Sequence, residues 1–398
     1  MGQVNWLDYC LKPDSVIKCA RAVLLQNGDE AFPEMIDAIK RAEREILLEV
    51  YSFIDDSIGR LFKELLIQKS KEGAEVFLIY DAIGSILTSR DFFSDMEKEG
   101  VNVLEFHPLV PWKPHWNWFK RDHRKLLCID GHTAFVGGFN ISEYDAPVSM
   151  GGRGWKDSQV KIEGESAVKE LAGLFWETWH SAKNHQTAGF LSPAPALRFE
   201  PASETTNGSG ICQISNGVYL AIVAASGIRN VRSIRRTYKY AIDRAKRYIR
   251  ITNAYFLPDR VVYRRLIKAV KRRVEVAIIV PGQTDHPFVK WASWSMFPHM
   301  IKNGIKIFEW QGEALHSKTA VIDGIWSSVG SHNLDHRSLH YNMELNANIF
   351  DEKFAGCMEE AFKNDLKNSR QVSLQDCKNR RLLLKLASKF LYLFRSWL

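Results

Sequence analysis

No stretch of the 398-residue chain offers the roughly 18 uninterrupted apolar residues that a membrane-spanning helix requires. The protein is therefore expected to rest on a bilayer if it meets one, not to cross it. Cysteines are few, and Cys10, Cys19, Cys128, Cys212, Cys357 and Cys377 are scattered. They include no C-x-x-C pair, and no histidines cluster at ligand spacing, so reduced thiols and no metal are expected. Met1 to Lys18 has no charged region followed by an apolar run, which argues against a signal peptide and for a cytoplasmic site of action. An acidic excess is also missing. Lys and Arg number 54 against 46 Asp and Glu, a net charge of +8 that should draw phosphates, nucleic acid or an anionic bilayer. What remains, 45% hydrophobic and 25% charged residues, is globular composition, with length for two compact units.

The chain repeats itself. Ala38-Ile-Lys-Arg-Ala42 returns as Ala241-Ile-Asp-Arg-Ala245, each followed by an apolar run, Ile46 to Phe53 and Ile249 to Phe256. A helical pattern and a second strand follow, Glu75 to Tyr80 and Val274 to Val280, then a third pair, Gly100 to Phe106 and Gly304 to Trp310. Strands alternating with helices predict an α/β sandwich with a mainly parallel sheet in each half. The fold expected is two tandem α/β sandwich domains, 1–187 and 217–370, related by a pseudo-twofold axis, with the active site at their interface. The Ser-, Pro- and Gly-rich stretch 188–216 is the expected linker, and 371–398 a basic amphipathic tail. The first half carries 11 extra residues, the third strands lying 204 residues apart and the histidines that follow only 193. The insertion falls in the aromatic loop Pro108 to Phe119, which contains Trp112, Trp116 and Trp118 and is a candidate substrate lip or headgroup anchor.

After its third strand each half delivers one motif, Asp122-His-Arg-Lys-Leu-Leu-Cys-Ile-Asp-Gly131 and Leu315-His-Ser-Lys-Thr-Ala-Val-Ile-Asp-Gly324. On a strand, residues two apart share a face, so His123 with Lys125, and His316 with Lys318, present an imidazole and an ammonium together. Asp130 and Asp323 complete the pattern as candidate catalytic residues. Each also precedes a glycine, so a turn role stands beside a direct one. At the same 193-residue offset Asn140 falls on Asn333 and Gly137 on Gly330. The asparagines could donate to phosphate oxygens, and the glycines could let the backbone approach a ligand. Phosphodiester chemistry needs a nucleophile, an acid for the leaving alkoxide and positive charge around the phosphoryl oxygens. These residues supply all three without a metal or other cofactor. A carboxylate should fix each imidazole tautomer. Asp157 and Glu344, which follow His123 and His316 by 34 and 28 residues, are the orienting candidates for their own histidines.

The paired H-x-K-x4-D motifs resemble those of the phospholipase D superfamily, a similarity running from about Val23 to Phe362. Leu48 to Phe53, Asn253 to Pro258, Phe135 to Asn140 and Val329 to Ser338 resemble the bacterial cardiolipin synthase branch, of the form without an N-terminal pair of transmembrane helices. The resemblance implies metal-free transfer of a phosphatidyl group from phosphatidylglycerol to an alcohol acceptor, with His123 as nucleophile and His316 as acid. A phospholipase D-type hydrolase or a nuclease is the alternative, and a non-catalytic lipid-binding module a third reading. Two intact motifs oppose the module. The duplicated chain and the tail Arg380 to Leu398, which mixes cations with Leu, Phe and Trp, favour lipid over nucleic acid and peripheral binding at the cytoplasmic face of the membrane.

Overall fold

The computed structural model describes residues 5–108, 120–186, 212–225 and 232–395. The chain divides into two compact units, one of Ile17–Gly154 and Gln159–Val218, the other of Met1–Val16, Trp155–Ser158 and Tyr219–Leu398. The expected aromatic lip and most of the expected linker lie outside the described residues.

In the first unit, strands β1 (Ile17–Gln26), β2 (Glu45–Val50), β3 (Glu75–Asp81), β4 (Asn102–Phe106), β5 (Leu126–Ile129), β6 (Thr133–Gly137) and β7 (Ser158–Glu163) lie in the order β1-β7-β6-β5-β2-β3-β4. Helices α1 (Asn27–Arg41), α2 (Ser57–Lys71), α3 (Arg90–Lys98) and α4 (Glu165–Gln186) complete it. Side chains alternate across the strands. Ile46, Leu48, Val50, Val76 and Leu78 form one core with Phe32, Ile39, Phe62, Leu66 and Phe92 of α1–α3. Phe77 points the other way and meets Trp176 and Trp179 of α4 edge-on, at 4.8 and 5.3 Å between ring centroids. Burial on both faces is why β2 and β3 read as nearly unbroken apolar runs. Asp56 starts α2 by accepting from the N–H groups of Ile58 and Gly59 at 3.1 and 2.9 Å, as an N-cap should.

The second unit contains, from Tyr219 on, β8 (Cys212–Ala225), then β9 (Tyr248–Asn253), β10 (Glu275–Pro281), β11 (Lys306–Trp310), β12 (Lys318–Ile322), β13 (Trp326–Gly330), β14 (Glu344–Phe350) and β15 (Ser369–Gln371). They run β15-β11-β10-β9-β12-β13-β14-β8. Its helices are α5 (Ser233–Arg244), α6 (Arg260–Lys271), α7 (Pro287–Trp294), α8 (Phe297–Lys302), α9 (His336–His340), α10 (Glu352–Lys367), α11 (Leu374–Asn379) and α12 (Leu382–Leu393). Ile249, Ile251, Val276, Ile278 and Ile307 pack against Tyr238, Leu266, Phe297 and Met300 in its core.

Three expectations change. The sheets are mixed, with parallel pairing between β2, β3 and β4 and between β9, β10 and β11. The motif strands β5 and β12 join antiparallel to β2 and β9. Each then turns back antiparallel into the next strand, β6 or β13, through Asp130-Gly131 and Asp323-Gly324, which all have positive φ, 52° and 70° in one half and 55° and 71° in the other, as a tight hairpin requires. Next, Cys212, placed in the linker by composition, begins β8. Last, Cys357 is disulfide-bonded while Cys10, Cys19, Cys128 and Cys377 are in no disulfide. Cysteine spacing along a chain is silent on pairing in space.

The tail forms α12, which packs on α7. Ser388 is buried, yet Leu382, Leu383, Leu386, Phe390 and Leu393 are 55–80% exposed.

Candidate active site

In the first unit His123 is buried just before β5, its ring edge-on to Tyr51 at 5.0 Å. Lys125, also buried, donates to the His123 carbonyl at 2.8 Å and lies 5.2 Å from the Tyr51 ring centre. The segment rests on buried charge. The Asp122 N–H donates to Asp81 at 2.9 Å, Asp81 faces Arg121 at 3.5 Å, and Arg124 lies 3.7 Å from Glu49. Burial pushes Asp81 up to about 6 against the pull of Arg121. Burial and then the neighbouring Asp122 push the Glu49 carboxyl well above the usual carboxylate range, against the pull of Arg124. A carboxylate inside the apolar run of β2 was the sequence signal for this cluster, and sequence reasoning passed over it.

In the second unit the His316 Nδ1 is 2.8 Å from Asp157 Oδ2. Lys318 donates to the His316 carbonyl and lies 3.6 Å from the same Asp157 oxygen. Asp157 and Lys318 are fully buried. Burial would raise the Asp157 pKa, but Lys318 and the bond to His316 outweigh it and hold it below the usual value. With Nδ1 held by Asp157, the imidazole is fixed in orientation. Trp155 and Tyr255 flank the imidazole at 6.1 and 6.2 Å between ring centres.

Asp157 thus serves the second histidine, not His123 as its sequence position suggested. Trp155–Ser158 belongs to the second unit. There Lys156 bridges to Leu315, receives the His316 N–H on its carbonyl at 2.7 Å and pairs with Asp365 at 2.9 Å. Glu344, proposed for His316, accepts from Ser331 and from Asn342. Spacing misled because it assumed that each half of the sequence folds only with itself.

Asp130 and Asp323 act in turns. Asp130 accepts from the N–H groups of Glu43, Arg44 and Glu45 at 2.9, 2.8 and 2.8 Å. Asp323 does the same for Lys246, Arg247 and Tyr248 at 2.6, 2.8 and 2.8 Å, and takes the Tyr9 hydroxyl at 2.6 Å. The motif strand separates each aspartate from its histidine, and these bonds engage both carboxylates in the turns. Asn140 is also engaged, with the Ser52 N–H at 3.3 Å and Asp145 at 3.5 Å. Asn333 differs, its buried Oδ1 having no hydrogen-bond partner among the described residues. Gly330 is close to β14 and not to a ligand-sized gap, since a Cβ there would stand 2.3 Å from the Leu345 carbonyl oxygen.

A family profile described as cardiolipin synthase, PLD-like domain, matches residues 35–179 and 238–366, once over each motif. The chain belongs to the phospholipase D superfamily. Within it the chain falls among phosphatidyltransferases of the cardiolipin synthase type. Cardiolipin synthase 2 of Bacillus anthracis is 33% identical over 90% of this chain and 67% of that protein. The major cardiolipin synthase of Bacillus subtilis is 31% identical over 91% and 72%. Among solved structures, phosphatidylserine synthase of Haemophilus influenzae shares the fold with a TM-score of 0.71, covering 98% of this chain and 96% of that one at 13% identity. In this phospholipase D-type chain the second histidine has an orienting carboxylate that the motif itself does not contain. Among the described residues no helix is long and apolar enough to cross a membrane.

Proposed function

We propose that the protein transfers a phosphatidyl group from phosphatidylglycerol to an alcohol, making cardiolipin when that alcohol is a second phosphatidylglycerol. His123 attacks phosphorus, giving a phosphohistidine, and His316 protonates the departing glycerol oxygen through Nε2. It then takes the proton of the incoming alcohol. The bond between His316 Nδ1 and buried Asp157 carries this reading, because a carboxylate on Nδ1 stabilises the imidazolium formed when the acceptor is deprotonated. Lys125 and Lys318 place positive charge beside the imidazoles, where phosphoryl oxygens need it. Asn333, with its uncommitted amide oxygen, belongs with the substrate groups, whereas Asn140 supports the backbone.

The enzyme would work as a peripheral protein at the cytoplasmic face, held by its net charge of +8 and by α12. Incubation with phosphatidylglycerol vesicles, and separately with single-stranded DNA, tests the proposal. Cardiolipin and free glycerol are expected from the first and no cleavage from the second. DNA cleavage without lipid turnover would refute it.

A further inference from the structure

Beside His316 stands a polar group that the two motifs do not contain. Tyr255, just past β9, is T-shaped to His316 at 6.2 Å between ring centres and donates its hydroxyl to Asp285, 2.8 Å from both carboxylate oxygens. Thr284 donates to Asp285 Oδ1 at 3.2 Å. His286 Nε2 lies 3.6 Å from Oδ2, and its ring is edge-on to Tyr255 at 5.1 Å. The group sits between the end of β10 and the first turn of α7, and the Asp285 side chain is 37% exposed. Burial would raise the Asp285 pKa. The nearby His286 and His316 charges and the Tyr255 and Thr284 bonds more than offset this, so the carboxylate stays ionised.

A carboxylate accepts at about four positions on two oxygens, and Tyr255 and Thr284 leave part of that capacity turned toward solvent. We infer that Asp285, fixed by Tyr255, selects the acceptor: it receives the hydroxyl next to the one His316 deprotonates, and so favours a vicinal diol such as a glycerol headgroup over a simple alcohol. The inference rests on the proposed phosphatidyl transfer. In that step the acceptor O–H proton passes to His316 Nε2 and the oxygen forms a bond to phosphorus. The P–N bond to His123 breaks, returning its electron pair to that imidazole. Asp285 exchanges no proton. Its hydrogen bond holds the second hydroxyl, which turns the attacking oxygen toward phosphorus.

The test is a competition. Wild-type enzyme, Asp285→Asn and Tyr255→Phe are each given phosphatidylglycerol in detergent micelles with equal concentrations of deuterated glycerol and 1-propanol, and the two phosphatidyl products are quantified by mass spectrometry. The ratio of glycerol to propanol product should fall about tenfold in Asp285→Asn, the loss expected for one hydrogen bond to a charged acceptor. Tyr255→Phe should shift it the same way by less. The ratio is independent of how much enzyme folds, so a destabilised variant still reports. A ratio within about twofold of wild type in both variants would overturn the inference, whatever happens to absolute rates. Wild-type enzyme that only hydrolyses phosphatidylglycerol would overturn the transfer reading itself, and the wild-type lane shows this before any variant is compared.

Discussion

A carboxylate that is fully buried and still titrates below its usual range must be compensated by nearby charge. At Asp157 the compensation is Lys318 and His316. The carboxylate therefore stays ionised through the reaction and steadies each imidazolium that forms. Asp157→Asn keeps the size and one acceptor but loses the charge. Turnover should fall by about 100-fold or more, as when a catalytic imidazole loses its orienting carboxylate, with the fold retained by circular dichroism. The same substitution should change acid stability. A depressed native pKa contributes stability that is present above the unfolded carboxylate value of about 3.9 and lost as pH falls through the native one. Asp157→Asn should lack that part of the acid-side slope in urea titrations at stepped pH. Near-normal turnover would show that His316 does not depend on this carboxylate.

At the scale of elements, the third polar member of each motif ends its strand. The Asp323 carboxylate ties the β12–β13 hairpin to three N–H groups that open β9, and burial together with Asp323 pushes the Tyr9 hydroxyl up in pKa. Asp323→Ala strands those donors, at about 3 kcal/mol or more for bonds to a charged group. Asp130→Ala loses the three equivalent N–H bonds, but the residue is less buried and no hydroxyl like that of Tyr9 bonds to it among the described residues, so about 2 kcal/mol is expected. Urea unfolding measures both, and turnover normalised to folded enzyme should hold in each. A collapse of normalised turnover would return the aspartates to the reaction. The succession of strands and helices along each half was legible in the sequence, because apolar runs report burial directly. The aspartates' task was legible only as a choice, since Asp-Gly marks both a turn and a motif. The partner of Asp157 was not legible at all, because a four-residue stretch that leaves its own half has no periodicity to betray it.

For the whole molecule the question is what brings a chain with no membrane-crossing helix among its described residues to a lipid substrate. Repetition of the α/β unit was readable from end to end, and so was the excess of positive charge, but charge alone suits DNA as well as lipid. The structure adds direction to composition. Helix α12 uses Ser388, Leu391 and Tyr392 against the second unit and leaves Leu382, Leu386, Phe390 and Leu393 outward, with Lys389 exposed among them. An outward apolar stripe edged by cations matches an anionic lipid surface, where burial and charge attraction add. Replacing Leu386 and Phe390 by Glu removes about 3 kcal/mol or more of burial and reverses local charge. Binding of the double variant to phosphatidylglycerol vesicles should weaken by about 100-fold or more, while transfer in detergent micelles persists because the His316 site is untouched. Wild-type binding should weaken as salt shortens the Debye length from about 10 Å at 0.1 M to about 3 Å at 1 M, but not vanish, since the apolar part is insensitive to screening. Unchanged sedimentation of the double variant with vesicles would exclude α12 as the contact and leave the basic surface alone to explain attraction to the membrane.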